Sequence, residues 1–110
     1  MSDGPIPLRQ AIREKLEASM GPVFFSDFRA MLAKDAVFVV DRRVALLDCG
    51  VAVAMDDDGV VREWIAAGTL RKPSRAERAD WPAQTERQWL SVVVQPFVLL
   101  QDLPEASSLS

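Results

Sequence analysis

Apolar side chains recur at helical spacing near the start of the chain. Leu8, Ile12 and Leu16 follow one another every four residues with charged residues between them, which predicts an amphipathic helix ended by the next Gly-Pro pair. A second, shorter helix is predicted in "FFSDFRAMLAKD", with Ser26 as its N-cap residue and Asp27 in its first turn. Each helix keeps its apolar residues on one face, so both are expected to cover a core.

Other stretches have the composition of β-strands. Residues 36–41, "AVFVVD", form a short β-branched and aromatic run that predicts a buried strand. The short stretch "TLRK" predicts another strand, ended by Pro73. Residues 87–101, "RQWLSVVVQPFVLLQ", predict one long strand or two. Pro96 would lie at a bulge or a sheet edge, because proline cannot donate a hydrogen bond to the ladder.

The segment after the first strand allows two interpretations. In residues 44–55 the alternation of "VAVAM" suits a strand, whereas Leu46, Leu47 and Val51 suit one face of a helix. Gly50 would cost either element about 0.5 to 1 kcal/mol. Periodicity alone leaves both interpretations open.

The clearest amphipathic helix lies in the second half of the chain. Its apolar residues at helical spacing are Val60, Val61, Trp64 and Ile65. Gly68 stands at the position of a C-terminal stop. The next stretch, "SRAERADW", predicts a helix that has Ser74 as its N-cap and ends before Pro82, with Trp81 anchored in the core.

Three consecutive aspartates precede this helix. An EF-hand alternates its acidic residues, and neighbours on a helix point about 100° apart, so Asp56, Asp57 and Asp58 are not expected to converge on a metal ion. With Asp56 as N-cap, Met55 and Val60 occupy the two positions of a hydrophobic staple. The other two aspartates then complement the helix dipole. The triplet is therefore predicted to be a helix cap, and Asp56→Ala to cost about 1 kcal/mol.

Composition narrows the class of protein. The 110 residues, 49% hydrophobic and 26% charged, predict one globular α+β domain over residues 1–103, followed by a flexible tail over residues 104–110. The net charge of −3 is spread along the chain, which argues against nucleic acid as a partner. Because the chain shows no secretory signal and no apolar run of about 18 residues, we expect a cytoplasmic protein without membrane contact.

Few residues are suited to catalysis or metal binding. The chain has no histidine or tyrosine, and its single cysteine, Cys49, lies in an apolar stretch that predicts a core position. No glycine-rich phosphate loop or serine-nucleophile motif is present. The sequence therefore predicts no catalytic, cofactor-binding or metal-binding residues and no enzyme. A carboxylate pair assembled in space from Asp41, Asp48 or the aspartate triplet stays open.

Three segments together resemble a known family. "AVFVVD", "LLDCGVAVAMDDDGVVREWIAAGTLRKPS" and "VVVQPFVLLQ", in this order and spacing, resemble the small bacterial proteins grouped as domain of unknown function 2288. The resemblance covers residues 8–101 and implies a helix over residues 45–55. The implied α+β fold has about three strands packed with four to five helices, and from Ser26 onward its order resembles a winged-helix arrangement. The family implies no activity or cofactor.

The last apolar segment suggests an interaction surface. The strand from Gln88 to Gln101 is long and apolar, and is predicted to be a sheet edge that pairs with another chain. The predicted partner-binding residues are Trp89, Val93, Phe97 and Leu99. The sequence thus predicts a non-catalytic protein-interaction or regulatory module, with homodimerisation as one version. A nucleic-acid-associated regulator of winged-helix type is the alternative, although the three aspartates would stand where such a helix enters DNA.

Overall fold

A mixed β-sheet of five strands forms the centre of the structure, a computed structural model that describes residues 7–103. The elements in chain order are α1 (Leu8–Ser19), β1 (Gly21–Phe24), α2 (Phe25–Ala33), β2 (Val37–Val40), α3 (Leu46–Ala54), α4 (Asp58–Ala67), β3 (Leu70–Arg71), α5 (Arg75–Asp80), β4 (Gln88–Val94) and β5 (Phe97–Asp102). A short 3₁₀ turn, Trp81–Ala83, follows α5. The spatial order is β1-β4-β5-β2-β3, in which β2 and β5 are parallel and the other pairs antiparallel. The predicted tail, residues 104–110, lies outside the described residues.

Helices cover both faces of the sheet, so the domain has two hydrophobic cores. Because successive strand residues point to opposite faces, Trp89 enters one core and Val92 the other. The first core lies under α1, α3 and α4, and its centre includes Leu16, Cys49 and Leu99. The second core lies under α2 and the 3₁₀ turn. Its aromatic members Phe28, Trp81 and Trp89 meet edge to face, with ring centroids 5.2 to 5.9 Å apart. The predicted core position of Trp81 is confirmed.

Local signals placed most helices correctly. Ser74 Oγ accepts a hydrogen bond from the Glu77 backbone N–H at 3.1 Å, as its prediction as an N-cap requires. Gly68 ends α4 in the left-handed conformation, with φ 78°. The prediction of Ser26 as the N-cap of α2 is wrong, because the helix already begins at Phe25. Asp27 does lie in the first turn. Its carboxylate accepts a hydrogen bond from the backbone N–H of Phe24 at 2.8 Å.

The ambiguous segment is a helix, α3, as the family resemblance implied. Gly50 lies at its closest approach to the rest of the fold. A Cβ atom there would stand 3.3 Å from both Leu16 Cδ1 and Val92 Cγ1. The lack of a side chain at Gly50 therefore lets α3 lie close against α1 and the sheet.

The sheet has five strands instead of the predicted three. β1 was not predicted because its sequence, Gly-Pro-Val-Phe, has the character of a helix stop. Residues 87–101 form two strands, β4 and β5, joined at Gln95–Pro96, which was one of the two options. The prediction that this segment is a sheet edge is wrong. β4 lies between β1 and β5, and β5 lies between β4 and β2.

The winged-helix comparison rests on the order of the elements alone. The sheet of residues 7–103 contains a parallel pair, β2 and β5, and helices pack on both of its faces. An element order shared with another fold carries no function by itself.

Candidate functional site

Helix α4 is incompletely covered by the rest of the protein. None of its residues is fully buried: Val61 and Trp64 are half-buried against the first core, and Val60 is also half-buried. Ile65 is more open than these three, with 54% of its surface exposed. Large apolar side chains on a structured helix are normally covered, so this face stands out as a candidate contact surface.

A small cavity lies between α4 and the sheet, and we call it the α4 hollow. Its volume is about 120 Å³. Its apolar lining includes Phe38, Val53, Val61, Ile65, Phe97 and Leu99. Phe38 and Phe97 meet edge to face, with centroids 5.5 Å apart, at the ends of β2 and β5 where the parallel strands begin. Leu70 of β3 also lines it, so three strands and two helices build one open apolar depression.

Negative charge lies beside the α4 hollow. Asp58 begins α4, three residues before Val61, and Asp56 and Asp57 precede it in the turn from α3. These three carboxylates and that of Glu63 are exposed, and none forms an ion pair within the described chain. The helix that lines the hollow therefore carries an acidic border of unpaired charge at and before its start.

The aspartates begin a helix, but not in the predicted register. Asp57 is the N-cap residue of α4, and its side chain makes no capping hydrogen bond. The prediction of Asp56 as N-cap is wrong, because its backbone is left-handed, with φ 56°. This shift by one residue takes Met55 and Val60 out of the two staple positions. Asp58 remains in the first turn, where a negative charge complements the helix dipole.

The left-handed backbone of Asp56 predicts how substitutions at this position change the stability of the protein. We expect Asp56→Ala to lower the free energy of unfolding by about 1 kcal/mol, because a Cβ without a polar group is disfavoured in this conformation. Asp56→Gly is expected to match or exceed the wild-type stability, because glycine adopts a positive φ freely. Urea unfolding of both variants measures the difference. An equal loss in the two variants would contradict this origin and point to a role for the carboxylate.

Cys49, Asp48 and Asp41, three of the candidate catalytic groups, are each buried or ion-paired. Cys49 is fully buried in α3, and burial raises the pKa of its thiol to about 11, so the thiol stays protonated. Asp48 is held by Arg13, with 2.7 Å between Oδ1 and Nη1, whereas Asp41 is held by Arg43 at 3.0 Å. Over residues 7–103 no group of three or more acidic, cysteine or histidine side chains could hold a metal ion.

A polar cleft lies at the opposite end of the parallel strands, and we call it the strand-end cleft. It consists of two adjoining cavities of about 240 and 350 Å³ that share Arg42 and Asp102. Arg71 lines the first cavity and Arg87 the second. No local sequence pattern predicts this cleft, because its residues lie at or beside the ends of four strands, β2 to β5, that span about 60 positions of the chain. The hollow and the cleft share no lining residue.

Four basic residues lie in and after β3, namely Arg71, Lys72, Arg75 and Arg78, and all but Arg75 form ion pairs within residues 7–103. Arg71 donates to both carboxylate oxygens of Glu77, at 2.7 and 3.0 Å, and this pairing lowers the pKa of Glu77 to about 2. Lys72 and Arg78 both pair with Asp35. Hydrogen bonding from Lys72 lowers the pKa of that aspartate. Two carboxylates thus pair with three of these four cations.

The comparison with known proteins decides the family. The family described as "Protein of unknown function (DUF2288)" matches residues 11–102, most of the chain. The chain belongs to the DUF2288 family. The resemblance noted in the sequence is thereby confirmed.

A solved structure shares the fold of this DUF2288 protein. The NMR solution structure of PA1075 from Pseudomonas aeruginosa superimposes with a TM-score of 0.73 and is 25% identical in sequence. The match covers 93% of this chain and 95% of that one. No functionally curated protein matches the chain. No helix in the described part of the DUF2288 chain is long and apolar enough to span a membrane.

The four predicted partner-binding residues have different surroundings in this DUF2288 fold. Trp89 is only 2% exposed and lies inside the second core, so it offers no contact surface. Leu99 is equally buried but forms part of the α4 hollow, beside half-buried Phe97. Val93 is exposed and does not line the hollow. The sequence signal for the hollow was the apolar stripe of α4, because Val61 and Ile65 of that stripe line it.

Proposed function

We propose that this DUF2288 protein is a non-catalytic module that binds a partner protein through the α4 hollow. The observation that carries the proposal is that Ile65 of α4 is more than half exposed beside an open apolar cavity that it lines. Covering Ile65 and Phe97 with a partner would remove apolar surface from water, which contributes about 25 cal/mol for each Å². The buried, protonated Cys49 and the ion-paired Asp41 and Asp48 support a role without catalysis.

The size of the hollow suits a single large apolar side chain. At about 120 Å³ it is close to cavities of about 150 Å³ lined by apolar residues, which hold one benzene ring. Leucine, isoleucine and phenylalanine are the side chains of matching size. The partner is therefore expected to insert one such anchor, as hot-spot residues do at the centre of an interface.

Charge indicates what surrounds that anchor. Asp56, Asp57, Asp58 and Glu63 bring four negative charges to α4 and the turn before it, against one positive charge from Arg62. Lysine or arginine residues beside the anchor would complement this border and speed up association. We therefore expect the partner segment to be basic and to carry one large apolar residue.

A second copy of this chain fits the hollow less well. A symmetric dimer through α4 would bring two identical acidic borders together, and like charges at an interface oppose association. Nucleic acid is disfavoured by the same carboxylates, because the phosphate backbone is itself negative. The following experiment distinguishes a basic protein segment from these two alternatives, a second copy of the chain and nucleic acid.

A random peptide library selected on the purified protein tests this proposal. Enriched peptides are expected to combine a leucine, isoleucine or phenylalanine with neighbouring lysine or arginine. In calorimetric titrations, Ile65→Ala is expected to weaken the binding of such a peptide about tenfold, because one buried aliphatic side chain contributes about 1.5 to 3 kcal/mol. Higher salt is expected to weaken it further.

Leu8→Ala is the matched control, because Leu8 is 66% exposed on α1 and does not line the hollow. This variant is expected to bind the peptide like the wild type. The proposal fails if the selection enriches acidic peptides, or if both variants lose the same affinity. A duplex DNA titration and light scattering of the free protein form two further arms. Tight DNA binding, or a dimer abolished by Ile65→Ala, would replace the proposed partner.

A further inference from the structure

The strand-end cleft has the features of a ligand site separate from the α4 hollow. We propose that it binds a small organic anion through the carboxylate or phosphate oxygens of that anion, with Arg42 as the principal contact. The cavities of about 240 and 350 Å³ are larger than an inorganic ion and suit a small molecule.

The position of the cleft in the sheet is one reason. β2 and β5 run parallel, so their carboxyl ends meet at the same edge of the sheet. In doubly wound sheets, ligands bind in the crevice outside the carboxyl ends of the parallel strands, and the strand-end cleft lies at the same ends of β2 and β5. Asp102 is the last residue of β5, and Asp41 and Arg42 directly follow β2.

The state of the three arginines is the second reason. Arg71 is fixed by its two hydrogen bonds to Glu77. Arg87 lies 4.4 Å above the Trp89 ring and pairs with Asp102 at 2.8 Å. Arg42 lines both cavities and has no ion pair within residues 7–103. One guanidinium is therefore available to a ligand while two others are already oriented.

The turn that carries Arg42 is held firmly in place. The side-chain amide of Gln101, only 9% exposed, donates to the backbone carbonyls of Asp41 at 3.1 Å and Val44 at 2.7 Å. The backbone N–H of Asp41 donates to the Thr69 carbonyl at 2.8 Å. A buried polar side chain is thus used to fix the backbone on both sides of an unpaired arginine. Such preorganisation lowers the entropy cost of binding.

The local charge balance is the third reason. The cleft is lined by three arginines and two aspartates, a local excess of one positive charge in a protein whose net charge is −3. Each aspartate is already paired, Asp41 with Arg43 and Asp102 with Arg87. The amides of Gln84 and Gln88 add further hydrogen-bonding groups to the second cavity. A planar guanidinium matches carboxylate and phosphate oxygens with two parallel hydrogen bonds.

Titration of the isotope-labelled protein with citrate and with inorganic phosphate, followed by amide NMR shifts at constant ionic strength, tests the proposal. We expect saturable shifts in the 41–44 turn and at the ends of β4 and β5 with at least one of the two anions. Citrate alone would mark a carboxylate ligand and phosphate alone a phosphorylated one. Arg42→Ala is expected to weaken this binding at least tenfold.

Arg62→Ala is the control, because it removes the same charge from an exposed residue of α4 outside the cleft. It is expected to change the affinity less than twofold. Equal weakening by the two variants would show general charge attraction and overturn the proposal. Shifts that stay linear in concentration for both anions would overturn it as well. Neither outcome bears on peptide binding at the α4 hollow, so the two proposals fail independently.

Discussion

Trp89→Ala is expected to lower the free energy of unfolding by about 3 to 5 kcal/mol, the range for a large aromatic residue removed from a core. The Trp89 ring is 2% exposed and lies 5.2 Å, centroid to centroid, from both Phe28 and Trp81. The guanidinium carbon of Arg87 lies 4.4 Å from the centroid of the same ring. Removal of the ring would leave a cavity that these neighbours cannot fill without losing their own contacts.

Chemical unfolding of Trp89→Ala beside Trp89→Phe isolates the contribution of ring size. The indole N–H of Trp89 is buried without a hydrogen-bond partner in the described structure. Phenylalanine therefore gives up no hydrogen bond and is expected to cost about 1 to 2 kcal/mol. Trp64→Ala serves as a second control, because Trp64 is only half-buried on α4. A loss below about 1 kcal/mol for Trp89→Ala would contradict the role of this ring in the second core.

Gly50→Leu is expected to be the most damaging substitution in α3. A Cβ atom at this position would already lie 3.3 Å from Leu16 Cδ1 and Val92 Cγ1, and 3.6 Å from Val94 Cγ2. Three further carbon atoms have no space, so the helix must move away from α1 and β4. Overpacking of this kind costs about 3 kcal/mol, the upper part of the usual range.

Two variants separate crowding from helix propensity in this measurement. In Gly50→Ala the gain in propensity, about 1 kcal/mol, is expected to be offset by the two contacts at 3.3 Å, which leaves the stability close to wild type. Gly59→Leu adds the same side chain to α4 at a position with nothing within 4 Å of a Cβ atom. If Gly50→Leu and Gly59→Leu unfold at the same urea concentration, the close approach of α3 is not limiting.

Several parts of the fold follow from short-range pattern. The stripe of Leu8, Ile12 and Leu16 predicted α1, and Ser74 and Gly68 predicted where α5 begins and where α4 ends. These predictions succeed because a helix terminus and an apolar face depend on residues a few positions apart. The exact N-cap among the three aspartates did not follow, because the left-handed φ of Asp56 depends on how α3 and α4 meet.

The strands show the limit of the same approach. β1 has four residues and no alternation of its own, and it exists because β4 offers it a partner from Gln88 to Ser91. Whether β4 lies inside the sheet or at its edge depends on that pairing between distant segments. Trp89 was predicted to bind a partner on the assumption that its strand lies at an edge. The apolar composition of a strand does not by itself show whether the strand lies at an edge or in the interior of a sheet.

The sequence by itself determined the α+β class, the family and the main helices, because these depend on composition and local spacing. The tertiary structure alone decided that Trp89 is core and that α4 keeps an apolar face open beside Phe97. It also decided that Arg42 is unpaired at the ends of β2 and β5. Both surfaces combine residues more than 30 positions apart, and no local pattern encodes which distant segments become neighbours.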